Sequence, residues 1–177
     1  RIEALRYFHL NGKYACLKKP TATANRILLL FAGIIPKEVR FQIELLKQAY
    51  EKDGLKKYSE IWIKPHPGLE LDDILKKLNP GFKFILVNSP INELMEQADV
   101  VYCSNSTGTS LEAAWLGVPL IILAAQDSMN LNPLFGFPGQ SFVKDSNDLI
   151  LALENPKPIE MPEDYFFLDE HLSSWKN

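Results

Sequence analysis

The chain is short of several things, and each shortage removes a class of protein. Its 177 residues hold two cysteines, Cys16 and Cys103, which form no disulfide framework and no metal-ligand spacing. Excess positive charge is missing too. The 19 Lys and Arg against 22 Asp and Glu give a net charge of -3, so no nucleic-acid partner is expected. The lysine pairs at 18–19, 56–57 and 76–77 read as solvated faces. The longest apolar run, Ile27 to Ile35, is far too short to cross a bilayer. After the first strand there is no G-x-G-x-x-G or G-x-x-x-x-G-K loop, and no serine elbow occurs. Dinucleotide oxidoreductases, P-loop enzymes and triad hydrolases are therefore disfavoured. The chain opens on Arg1 with no signal-like segment, so it is expected to belong to something longer. A reducing cytoplasm suits the few cysteines.

What is present is an ordinary globular composition, 46% hydrophobic and 23% charged, with enough length for one sizeable core. Short apolar runs alternate with amphipathic segments, the pattern of a parallel sheet wrapped by helices. Strands are expected at Ile27–Ala32, Glu60–Lys64, Phe82–Val87, Val100–Cys103, Pro119–Ala124 and Ser141–Val143. Helices are expected at Lys37–Lys52, Leu71–Leu78, from Ser89 (as N-cap, with Pro90 at the first helical position) to about Ala98, at Thr109–Leu116 ended by Gly117, and at Asn147–Glu154. Asp127 to Gln140 reads as an unusually long loop. The expected fold is α/β: a three-layer Rossmann-like domain, a mostly parallel sheet of about six strands with helices on both faces. It should occupy residues 27–154. Residues 1–26 read as a strap from an upstream domain. Residues 155–177 read as an extension that packs back or onto that upstream domain, ending in a short amphipathic helix around DYFFLDEHLSSW.

The chemistry is concentrated in Ala98 to Leu123. There a buried strand, a turn of small hydroxyl residues, a helix and a second buried strand follow one another. Ser104, Asn105, Ser106, Thr107, Gly108 and Thr109 offer free N–H groups, short hydroxyl donors and no bulky Cβ at a helix start, which is what a phosphate needs. A plain Ser/Thr cap is the competing reading. Glu112, one turn into the helix, is placed to accept from ribose hydroxyls. It equally completes a Thr109–Glu112 capping box. Leu111, Ala114 and Trp115 share a face and read as core. His66 lies between two prolines beyond a strand's carboxyl end, where α/β ligands bind. It can donate to a leaving phosphate, or it is a satisfied histidine in a rigid turn. Lys64, two residues earlier, should share its face, adding charge or reaching solvent. Gly33 would let a ligand phosphate approach the backbone after the first strand. His9 and His171 have no partner pattern and read as structural.

These residues suggest a family. ADVVYCSNSTGTSLEAAWLGVPLIIL resembles the C-terminal half of GT-B glycosyltransferases, where a small-residue turn and helix precede a G-x-P strand. KPHPG, Lys64 to Gly68, looks like the histidine–proline motif of bacterial capsule and sialic-acid transferases and polymer glycerophosphotransferases, and SNSTGTS matches the Ser/Thr-rich motif that follows it there. The resemblance covers roughly Ile27 to Leu153. It implies one half of a GT-B fold that binds a nucleotide-sugar donor, CMP- or UDP-linked, without a metal or a permanently bound cofactor. His66 would contact the donor phosphate and help the leaving nucleotide depart. Ser104, Ser106, Thr107 and Gly108 would hold phosphate or base, and Glu112 the ribose. An N-terminal domain would supply the site for a glycan or lipid-linked acceptor, so this part alone should bind nucleotide without transferring sugar. The implied setting is bacterial surface-polysaccharide biosynthesis in the cytoplasm, with peripheral association at the inner face of the membrane. Two other readings stay open: a sugar-nucleotide epimerase or hydrolase, and a non-catalytic docking domain.

Overall fold

The structure is a computed structural model that describes residues 5–17, 26–125 and 129–166. It contains one six-stranded parallel sheet: β1 (Ile27–Phe31), β2 (Glu60–Lys64), β3 (Ile85–Leu86), β4 (Val100–Cys103), β5 (Leu120–Leu123) and β6 (Ser141–Val143). The strand order is β3-β2-β1-β4-β5-β6. Among the described residues the α-helices are α1 (Pro36–Glu51), α2 (Leu71–Leu78), α3 (Ile91–Gln97), α4 (Thr109–Leu116) and α5 (Ser146–Glu154). This is the expected α/β Rossmann-like architecture.

The central strands are apolar throughout because both of their faces are covered. Leu28 and Leu30 of β1, Val100 and Tyr102 of β4, and Ile121 and Leu123 of β5 pack with α1, α2 and α5. The alternate residues Leu29, Phe31, Val101, Cys103, Leu120 and Ile122 pack with α3 and α4. Truncating a fully buried leucine such as Leu29 in this setting costs about 2–5 kcal/mol.

Several boundaries differ from the sequence reading. The third strand shortens from Phe82–Val87 to Ile85–Leu86 because, at the sheet edge, it pairs only with β2. Phe82 turns inward instead and packs between Tyr50, whose ring is tilted to it, and Phe84, which meets it edge-on. Ser89 is not the N-cap of α3. Pro90 takes that position with an extended ψ of 147° and no side-chain cap. Asp145 caps α5, which starts at Ser146. Gly117 ends α4 at φ 78°, the left-handed conformation expected there.

The N-terminal stretch lies along α4. Leu5–Leu10 is a 3-10 helix, Trp115 Nε1 donates to the Leu10 carbonyl at 3.1 Å, and the Ala15 and Leu17 N–H groups donate to the Trp115 and Leu116 carbonyls. Ile159, Met161 and Phe166 close the same layer from the other end of the chain. With these covers α4 is buried on every side. Lys18, Lys19, Asp127, His171 and all but the first three residues of the expected C-terminal helix around DYFFLDEHLSSW lie outside the described residues; those three, 164–166, are turn and bend.

Candidate functional site

From β1 the chain first builds outward to β2 and β3, then returns to lay β4 on the opposite flank of β1. The connections leaving β1 and β4 therefore diverge, and a crevice opens outside their carboxyl ends. Open α/β sheets bind ligands at this topological switch point. The loops that follow β2, β1 and β4 carry His66, Gly33 and residues 104–109, so these stand side by side along one edge of the sheet.

Gly33 is buried in the boundary between β1 and β4. A Cβ there would run into Ser104 Oγ and stand 2.7 Å from Ser106 Oγ. In this structure the glycine admits two serine hydroxyls of the neighbouring loop. The Ser106 hydroxyl is held by Glu38 in the first turn of α1: Oγ donates to Glu38 Oε2 at 2.5 Å, and the Ser106 N–H donates to Oε1 at 3.2 Å. One turn further along α1, Gln42 is fully buried, and its Nε2 donates to the carbonyls of Tyr102 at 3.1 Å and Phe31 at 3.4 Å, joining the ends of β4 and β1.

Buried polar atoms without a protein partner gather in this part of the structure. Among the described residues they are Gln42 Oε1, the Tyr102 hydroxyl and Ser104 Oγ. Such groups are few in native proteins, and each calls for an explanation such as a functional role. Burial pushes the Tyr102 hydroxyl far above its ordinary range, and the nearby Glu38 charge adds to the effect. Burial, then the Glu112 charge, raises Cys103 likewise, which keeps that thiol protonated and inert.

His66 is oriented by its own turn. Its Nδ1 accepts the Gly68 N–H at 3.0 Å, so the neutral ring carries its proton on Nε2. A Cβ on Gly68 would lie 3.4 Å from His66 Nδ1 and 3.5 Å from Ile34 Cδ1, which sets this turn against the loop after β1. Lys64 Nζ donates to the Asn88 carbonyl beyond β3 at 3.1 Å.

The hydroxyl-rich turn divides its duties. Asn105 is buried and braces the loop after β5: its Nδ2 donates to Asn130 Oδ1 at 2.8 Å, and its Oδ1 accepts the Leu131 N–H at 2.9 Å. Asn132 returns the contact, donating to the Asn105 carbonyl at 3.3 Å and to Ser110 Oγ at 3.1 Å. Thr107 Oγ1 accepts the Thr109 N–H at 3.3 Å and donates to Thr109 Oγ1 at 3.1 Å. The N-cap of α4 is Gly108 and brings no side-chain cap, so the helix does not open on a capping box started by Thr109. Glu112 is 9% exposed, with His9 Nε2 3.5 Å from its Oε2. Leu111, Ala114 and Trp115 are core, as expected.

Glu38, Gln42, Asn130 and Asn132 escaped the sequence reading. Gln42 left a usable signal, since a polar residue interrupts the stripe Val39–Ile43–Leu46 on the buried face of α1. Glu38 left none, because a carboxylate in a first helical turn is ordinary. Among the described residues no group of three or more His, Cys, Asp or Glu is arranged to hold a metal, and no helix is long and apolar enough to cross a membrane.

No protein-family model matches the chain, and no curated protein matches it by sequence. Solved structures do match. A UDP-GlcNAc 2-epimerase from Methanocaldococcus jannaschii in complex with UDP-GlcNAc and UDP aligns over 85% of this chain and 46% of its own, at 18% identity and TM-score 0.57. A UDP-GlcNAc 2-epimerase from Neisseria meningitidis bound to UDP-GlcNAc aligns over 73% and 36%, at 14% identity and TM-score 0.54. The wall teichoic acid polymerase TagF, soaked with CDPG, aligns over 86% and 35%, at 17% identity and TM-score 0.53. The chain spans less than half the length of each. Identities this low establish the fold: a Rossmann-like unit of the kind found in GT-B proteins.

Proposed function

We propose that this domain is the nucleotide-sugar-binding half of a GT-B glycosyltransferase of bacterial surface-polysaccharide biosynthesis. The observation that carries the reading is the row of loops at the switch point. The row runs from the His66 turn after β2, past Gly33 after β1, to the start of α4 after β4, whose N-cap is a bare glycine. In this reading the donor phosphates rest on Thr107, Gly108 and the N-terminus of α4, where backbone N–H groups and the helix dipole favour an anion. His66 donates from Nε2 to the leaving phosphate, and fixed donors stabilise the charge that develops there. Glu112 accepts from the ribose. Gly33, Lys64, Ser104 and Asn105 shape the crevice from behind, and Ser106 offers its N–H and hydroxyl to the ligand. No metal takes part, and the base is cytosine or uracil.

In the same proposal residues 27–154 form the donor domain. Residues 1–26 lead in from an acceptor domain, and 155–177 form an extension that packs back. A glycan or lipid-linked acceptor binds that other domain at the inner face of the membrane, so the present chain binds donor without turnover. A sugar-nucleotide epimerase is the second reading, favoured by the two epimerases among the structural matches. Thermal-shift measurements with CMP, UDP, CDP and GDP test the first point common to both. One pyrimidine nucleotide should raise the melting temperature, and His66→Ala should abolish the rise. No response to any of the four would favour a docking domain instead.

A further inference from the structure

We propose that Glu38 is a tethered anion that occupies a ligand's place on Ser106 and thereby determines which ligands the crevice accepts; this rests on reading the crevice as a nucleotide-sugar site. Ser106 offers a backbone N–H and a hydroxyl to the two oxygens of one carboxylate, at 3.2 and 2.5 Å. Two donors from one residue, aimed at two oxygens of one group, make an anion hook, and charge-assisted bonds of this kind are the strong ones. The hook lies in the loop after β4, two residues before the helix start where the phosphate is expected. It is already filled from within the protein.

Two further observations point to an exchangeable occupant. Ser104 Oγ, fully buried beside the same glycine, has no partner. Glu38 and Ser106 also line a cavity of about 450 Å³ between α1 and the loops after β4 and β5, so the hook can be reached and the carboxylate has space to leave. Lys37 and Arg40 line the same cavity and balance the carboxylates of Glu38 and Glu44. Displacing Glu38 costs it little of its helix: it remains in the first turn of α1, where the dipole favours a negative charge.

Two anions cannot share the hook. A singly charged, weakly chelating anion therefore loses to the tethered carboxylate. A diphosphate, with several oxygens to place on the hook and on the start of α4 at once, can displace it. Glu38 is thus a selectivity residue for diphosphate esters over simple anions.

Calorimetric titration of the whole chain with inorganic pyrophosphate, and separately with UDP and CDP, tests this at low ionic strength. Glu38→Ala should bind pyrophosphate at least tenfold more tightly than wild type. Glu38→Gln, which keeps the shape and one acceptor, should gain several-fold. Adding Ser106→Ala should remove most of either gain. Circular dichroism checks the fold, and Glu38→Gln carries the test if the alanine loosens α1. Unchanged pyrophosphate affinity in the folded variants overturns the proposal. If UDP or CDP binds wild type while pyrophosphate affinity stays flat, the nucleotide reading survives and the role of Glu38 falls. If pyrophosphate affinity rises while neither nucleotide binds, the hook stands and the nucleotide reading falls.

Discussion

Gly33 and Ser104 meet across the boundary between β1 and β4 so closely that the serine hydroxyl fills the space a side chain on residue 33 would need. The two loops that flank the switch point are therefore one packed unit. Gly33→Ala must push Ser104, and behind it Ser106, out of place, at about 1–3 kcal/mol for overpacking of this kind. Urea denaturation should show that loss, and Ser104→Gly in the same chain should restore part of it. Equal stability of Gly33→Ala and wild type would mean the contact carries no constraint.

Gln42 joins the two central strands through its Nε2. Gln42→Leu withdraws that donor from the Tyr102 carbonyl, while the Phe31 carbonyl keeps the Ser104 N–H at 3.2 Å. A buried hydrogen bond contributes about 0.5–1.5 kcal/mol net, and the loss here should fall toward the lower end because leucine also removes the unpartnered Oε1. Gln42→Glu, which sets a carboxylate against two carbonyl oxygens, should cost more. A Gln42→Glu variant as stable as Gln42→Leu in urea would contradict this account of the joint.

Asp145 gives the pH dependence a sign. Its Oδ1 accepts the N–H groups of Asn147 and Asp148 at 2.9 and 3.0 Å. The Asp148 bond foremost, then that of Asn147 and the Lys144 and Lys52 charges, hold the carboxyl below its ordinary value of 3.8. A pKa depressed by folding contributes stability above the unfolded value, and the contribution disappears as pH falls through the folded one. Asp145→Asn, which keeps a capping side chain, should therefore trail wild type at pH 7 and draw level only once the pH has fallen below the depressed pKa of Asp145. A gap between their urea midpoints that is constant with pH would contradict the assignment.

How far the sequence could be read depended on whether a residue's role was local. Val100–Cys103 and Leu120–Leu123 announce buried parallel strands by being apolar throughout. Gly117 announces a helix end through a conformation glycine favours. His66 and the turn at 104–109 stood out as candidates because strand ends and small polar residues mark ligand edges. Roles that depend on a partner far along the chain stayed hidden. Glu38 acquires its part only from Ser106, 68 residues away, and Asn105 becomes a brace only once Asn130 and Asn132 fold over it. The Phe82–Val87 segment has the composition of a full strand, and only its place at the edge shortens it.

The central claim is that a nucleotide settles in the crevice outside β1 and β4, and amide-resolved NMR of the 20.1 kDa chain during titration with UDP and CDP tests it most directly. The account predicts saturable shifts at Thr107, Gly108, Thr109 and the His66 turn, with Tyr50, Phe82 and Lys83 in the groove at the opposite edge unmoved. Shifts confined to that opposite groove, or none at all, would contradict it.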